Sequence, residues 1–137
     1  MKIRGLLGKK EMEDAIAETT LELERAGVIS QMSMPFRLTF EEILILYLET
    51  TGEGTPFIVE TRKRKGRFHV VLSVDWKEAD PFGMESPLLT KLVDVLEEKP
   101  VWEYRHNTNT VTFSFTLYNS PYRNYAFAWS YMRKYKK

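Results

Sequence analysis

The chain has 137 residues, of which 43% are hydrophobic, 28% charged and 13% aromatic. That length fits one domain able to bury a core, and the apolar fraction excludes wholesale disorder. Lys and Arg total 20 and Asp and Glu 19, a net charge of +1, and there is no cysteine. The balance lacks the basic excess of a dedicated nucleic-acid or membrane-surface protein. The absence of cysteine excludes disulfide frameworks, thiolate zinc sites, iron–sulfur clusters and cysteine nucleophiles. His69 and His106, the only two histidines, make no His-rich metal site.

Residues 2–7 alternate loosely and predict a short strand. Residues 11–26 read as a helix, with Met12, Ile16, Thr19, Leu23 and Ala26 recurring at three- and four-residue steps and Gly27 as its stop. After a short connection, a second helix begins near Pro35. Phe36, Phe40, Ile43, Leu44 and Tyr47 form one stripe, and Leu38, Ile45, Leu46 and Leu48 fill other directions. This helix is expected to be the most buried. Its apolar run, residues 43–48, is far short of the ~20 residues that span a bilayer. The apolar part of residues 1–10 is too short for a signal peptide. The expectation is a cytoplasmic protein with no membrane and no nucleic-acid partner.

From residue 57 the period changes to two. Residues 57–62 and 68–76 predict a hairpin about residues 63–66, with Phe68, Val70, Leu72 and Val74 on one face. Residues 75–83, with Pro81 and Gly83, read as a loop. Ser86 and Pro87 cap a third helix whose apolar face includes Leu88, Leu89, Leu92, Val93 and Leu96, stopped by Pro100. Residues 101–105 and 110–118 predict a second hairpin around residues 106–109, with Val111, Phe113, Phe115 and Leu117 facing one way. Ser120 and Pro121 open a final aromatic helix, about residues 121–135. The order β-α-α-β-β-α-β-β-α predicts a single α+β domain over residues 1–137. It would be a two-layer sandwich with a mixed or antiparallel sheet and helices on one face.

Three stretches carry a family resemblance. The sequence Leu38-Thr39-Phe40-Glu41-Glu42-Ile43-Leu44 on the second helix is one. The stretch from Val70 to Phe82, through Val74-Asp75-Trp76-Lys77-Glu78-Ala79-Asp80-Pro81-Phe82, is another. Residues 88–99, Tyr104 and residues 109–115 make the third. In this order they resemble the GHKL ATPase superfamily, and in layout its small anti-sigma-factor serine-kinase branch, over about residues 11–117. The resemblance implies a histidine-kinase-ATPase-like fold, with Glu42 as the general base and Asp75 as the reader of adenine. It also marks departures. Leu46 stands where the family places its magnesium-holding Asn, and Lys77 where it places a Gly against the base. The Gly-rich phosphate lid is missing, with Gly83 alone before Ser86. Leucine offers magnesium no hard oxygen ligand, and a triphosphate needs backbone N–H groups that such a lid presents.

Each remaining feature has a structural and a functional reading. Glu41 and Glu42 are either a general base with a spare acid or the solvent face of an amphipathic helix. Asp75 either binds a base edge or fixes its own loop. Asp75 and Asp80 lack a third cation ligand. The basic turn at residues 62–67 is either a phosphate contact or a solvated hairpin tip. Tyr122, Tyr125, Trp129 and Met132 form one stripe of the last helix and Phe127, Tyr131 and Tyr135 lie off it. Rings on more than one face suit an interface. The sequence therefore points to a non-catalytic regulatory or protein-binding domain with a degenerate GHKL-like fold and no cofactor. It would act by docking a protein partner or by forming a homodimer through Tyr122, Tyr125, Trp129 and Tyr131. The alternative is an ATP- and magnesium-dependent anti-sigma-type serine kinase with a variant site.

Overall fold

The structure is a computed structural model and describes residues 1–76 and 86–117. Its elements run β1 (Lys2–Leu6), α1 (Lys9–Ala26), a 3-10 turn (Ser30–Met32), α2 (Ser33–Thr51), β2 (Pro56–Arg64), β3 (Arg67–Val74), α3 (Pro87–Val95), β4 (Val101–Arg105) and β5 (Thr108–Thr116). The five strands form one sheet in the order β1-β2-β3-β5-β4, and every neighbouring pair is antiparallel. This is the α+β architecture that the alternation of periods predicted. The final helix about residues 121–135 and most of the 75–83 loop lie outside the described residues.

One face of the sheet carries the core. Phe57 and Val59 of β2, Phe68, Val70, Leu72 and Val74 of β3, and Val111, Phe113 and Phe115 of β5 are all buried. Their register makes rows: Val59 pairs with Leu72, and Leu72 with Val111. A one-residue slip would send every one of these side chains to the other face, so the alternation fixes the pairing. Gly5 of β1 sits opposite Phe57, and a Cβ there would lie 2.8 Å from the Phe57 ring. The glycine lets that ring lie over β1.

Both hairpins close on two residues. Lys65 and Gly66 have φ of 49° and 76°, and His106 and Asn107 have φ of 51° and 60°. Paired positive φ values are the turn geometry whose twist matches that of the strands. The strands therefore reach further into the turns than the sequence suggested, with Lys63 and Arg64 inside β2 and Thr108 and Asn109 inside β5.

The helices lie against the core face. α1 ends at Gly27, whose left-handed φ of 96° lets its N–H turn back to Glu24 O. α2 is the central helix. Phe36, Phe40, Ile43, Leu44 and Tyr47 are completely buried and Leu46 nearly so. Phe36 stacks on Phe40 at 5.2 Å between ring centroids and meets Phe113 and Phe115 edge-on at 5.2 and 5.8 Å. Offset and edge contacts of this kind add stabilisation beyond area burial.

α3 stops at Val95, short of Pro100, and the following residues explain it. Leu96 turns extended and buries its side chain. The Glu97 carboxylate accepts the Thr116 backbone N–H at 3.0 Å and the Thr116 hydroxyl, and Glu98 pairs with Arg67. Glu97 thus satisfies β5 where β4 has already ended. A continued helix would give up both contacts.

Candidate functional site

The outward stripe of α2 is Leu38, Glu41, Glu42 and Ile45, at helical spacings of three, four and seven. Across from it, α3 presents Leu88 and Leu92. Together these six residues line a groove of about 140 Å³. Leu38 remains 42% exposed and Leu88 54% exposed. Ser86 anchors the pair of helices. Its hydroxyl accepts the Leu89 N–H at 3.1 Å as the cap of α3, and it also reaches Glu42 Oε1 at 3.3 Å. The capping signal was visible in the sequence. The contact with Glu42, 44 residues away in the chain, was not.

The structure separates the other residues singled out by sequence. Glu41 is exposed and Glu42 half-buried. Leu46 points into the core, so no oxygen ligand stands one turn after Glu42. Asp75 is exposed at the end of β3, its N–H bonded to Pro56 O, and it does not line the groove. Lys77, Asp80, Gly83, Tyr122, Tyr125, Phe127, Trp129, Tyr131, Met132 and Tyr135 lie outside the described residues. Among the described residues, no three His, Asp or Glu side chains are grouped so as to hold a metal ion. Among the described residues, no helix is long and apolar enough to cross a membrane.

Two further cavities adjoin these helices. One, about 430 Å³, runs between α1 and α2 and is lined by Glu13, Asp14, Ile16, Ala17, Arg37 and Glu41. It is continuous in residues with the groove through Glu41. The other, about 330 Å³, lies on the opposite flank of α3, with Thr90, Val93, Asp94 and Lys99 in its wall. Lys99 and Asp94 approach to 4.0 Å, an exposed pair of little energetic weight.

Sequence reasoning also missed a buried polar centre. The sequence places Asn109 in the turn at residues 106–109, whereas in the structure it is completely buried in β5. Its side-chain oxygen accepts the Tyr47 hydroxyl at 3.1 Å and the Trp102 indole N–H at 2.6 Å, while its amide N–H₂ donates to the Trp76 carbonyl. The Trp76 carbonyl, just beyond β3, is thereby tied to α2, β4 and β5. The signal available in sequence was the inward parity of position 109, which it shares with Val111 and Phe113.

On the other face of the sheet, His69 Nδ1 lies 2.9 Å from Ser114 Oγ. Partial burial first, then the guanidinium of Arg67 and those of Arg62 and Arg64, hold its pKa below the ordinary imidazole value, against the opposing pull of Glu98. Arg62 and Lys2 pair with Glu60, and the hydrogen bond from Arg62 is the main cause of that carboxyl's lowered pKa. Comparison with protein-family models gives no match, and no curated protein matches the chain.

Proposed function

We propose that this chain is a non-catalytic regulatory domain of GHKL-like architecture that works by binding protein in the cytoplasm. The single observation that carries the reading is the setting of Glu42. Its surroundings in the groove are Leu38, Ile45, Leu88 and Leu92, with the Ser86 hydroxyl on its carboxylate. A general base needs a reacting group within hydrogen-bond reach, and phosphoryl transfer needs a metal and backbone N–H groups around the phosphates. Leu46 withholds the metal ligand, and its side chain is part of the core. Exposed apolar side chains gathered between two helices serve protein contact better than nucleotide contact.

The observed order of elements, with Glu42 on α2, Asp75 just after β3 and Ser86 opening α3, is the order on which the resemblance rests. It supports a shared architecture. The testing experiment is a turnover assay with Mg-ATP on the full chain and on Glu42→Gln. The expected outcome is no turnover in either. A rate that disappears in Glu42→Gln would overturn the reading in favour of the serine kinase. Self-association is part of the proposal, with a homodimer as the assembled form.

A further inference from the structure

Three features of the chain fit one another. The first is the α2–α3 groove, where Leu38 and Leu88 are exposed among the described residues. The second is charge. Glu41 and Glu42 stand in the groove and Glu13 and Asp14 in the adjoining cleft, and none of the four forms an ion pair among the described residues. The third is the composition of residues 118–137. This segment holds Arg123, Arg133, Lys134, Lys136 and Lys137 and no carboxylate, so residues 1–117 carry 15 cations against 19 carboxylates, a net −4. It also holds seven of the chain's 18 aromatic residues, among them Tyr122, Tyr125, Trp129 and Tyr131.

We propose that residues 118–137 of a second copy of this chain dock in the α2–α3 groove, and that the exchange is reciprocal, making a two-fold homodimer. This rests on the protein-binding reading above and names its partner. Each copy has an acidic, aliphatic groove and a basic, aromatic segment. A two-fold contact requires such self-complementarity, and it buries each surface twice. Rings filling an aliphatic groove supply the buried anchors that dominate interface energy. The cations beside Glu13, Asp14, Glu41 and Glu42 steer encounter and fix orientation.

The absence of cysteine makes the test clean. Full-length Leu88→Cys is mixed with full-length Ser130→Cys, and separately with Ala126→Cys, under mild oxidation, beside a doubly substituted chain. The expected result is a disulfide between the two different variants, seen as a dimer on a non-reducing gel. A link that forms within the doubly substituted chain at any dilution would overturn the proposal by assigning the segment to its own groove. No link with either partner would overturn it outright. Light scattering is the second readout. Wild type should be dimeric at micromolar concentration. Leu88→Asp should raise the dimer dissociation constant at least about tenfold, as loss of a buried anchor does. Replacing Arg133, Lys134, Lys136 and Lys137 by Ser should do the same and flatten the salt dependence. A dimer indifferent to Leu88→Asp would contradict the groove. The nucleotide assays are read separately, so failure here leaves the non-catalytic reading standing.

Discussion

The two stripes of α2 differ in composition and in burial. The inner stripe, Phe36, Phe40, Ile43, Leu44 and Tyr47, is completely buried against β5 and its neighbours. The outer stripe, Leu38, Glu41, Glu42 and Ile45, lies open beside α3. One helix thus serves as the centre of the core and as the wall of a groove. The difference comes from what opposes each side: a sheet face of nine buried apolar side chains on one, a nine-residue helix on the other. Apolar residues on the first stripe hold the fold together. On the second, Leu38 is exposed and Ile45 is only partly buried against the core.

Truncating one residue on each stripe separates their two roles. Phe36→Ala removes a ring that touches Phe40, Phe113 and Phe115. It should cost about 3–5 kcal/mol in chemical denaturation. Leu38→Ala should cost a small fraction of that. Equal losses would mean that the outer stripe is also core.

Next in size is Asn109→Ala. It removes the acceptor of the Tyr47 hydroxyl and of the Trp102 indole N–H, and the donor to the Trp76 carbonyl. A buried group left unsatisfied costs about 1–3 kcal/mol. A loss of about 2–3 kcal/mol is therefore expected, with a change in tryptophan emission as the readout of the disturbed network. A loss under about 0.5 kcal/mol, the usual range for surface substitutions, would show that the network is not part of the core.

The basic hairpin tip belongs with the outer stripe in being solvated. Changing Lys63, Arg64 and Lys65 to Ser should shift stability by no more than about 0.5 kcal/mol. Tight, salt-dependent DNA or RNA binding by wild type, lost in this triple variant, would contradict the expectation of no nucleic-acid partner.

The smallest effect is a pH dependence on the open sheet face. Burial and the three arginines lower the His69 pKa in the folded state. As pH falls below the ordinary imidazole value, the unfolded chain takes up that proton first. Stability should therefore decline as pH drops through about 6.5 toward the folded-state value, and be flat above. His69→Gln, which can keep a bond to Ser114, should remove that decline in thermal melts from pH 7.5 to 5.5. The Glu60 carboxyl, held low by Arg62 and Lys2, adds a second loss only at more acidic pH. An unchanged decline in His69→Gln would assign the effect elsewhere.

Much of the fold was legible because its signals are local. The alternation of Phe68, Val70, Leu72 and Val74, the cap at Ser86 and the stop at Gly27 each need only neighbouring residues to be read. Leu38 and Ile45 read in the sequence only as additional apolar circumference, since hydrophobic spacing does not say what lies opposite. The end of α3 was misplaced because Glu97 and Glu98 act across the chain, on Thr116 and Arg67. Asn109 was missed for the same reason: a polar residue after a turn looks exposed until Tyr47 and Trp102 are placed around it. Glu42 was visible as a candidate. Its apolar surroundings depend on the packing of α3 against α2.

On the proposed reading, the Glu42 groove receives protein and not nucleotide. The deciding measurement is calorimetric titration of the full-length protein with Mg-ATP, and then with ADP. No heat of binding is expected from either. Saturable binding in the micromolar range, weakened when Asp75 is changed to Asn, would contradict it.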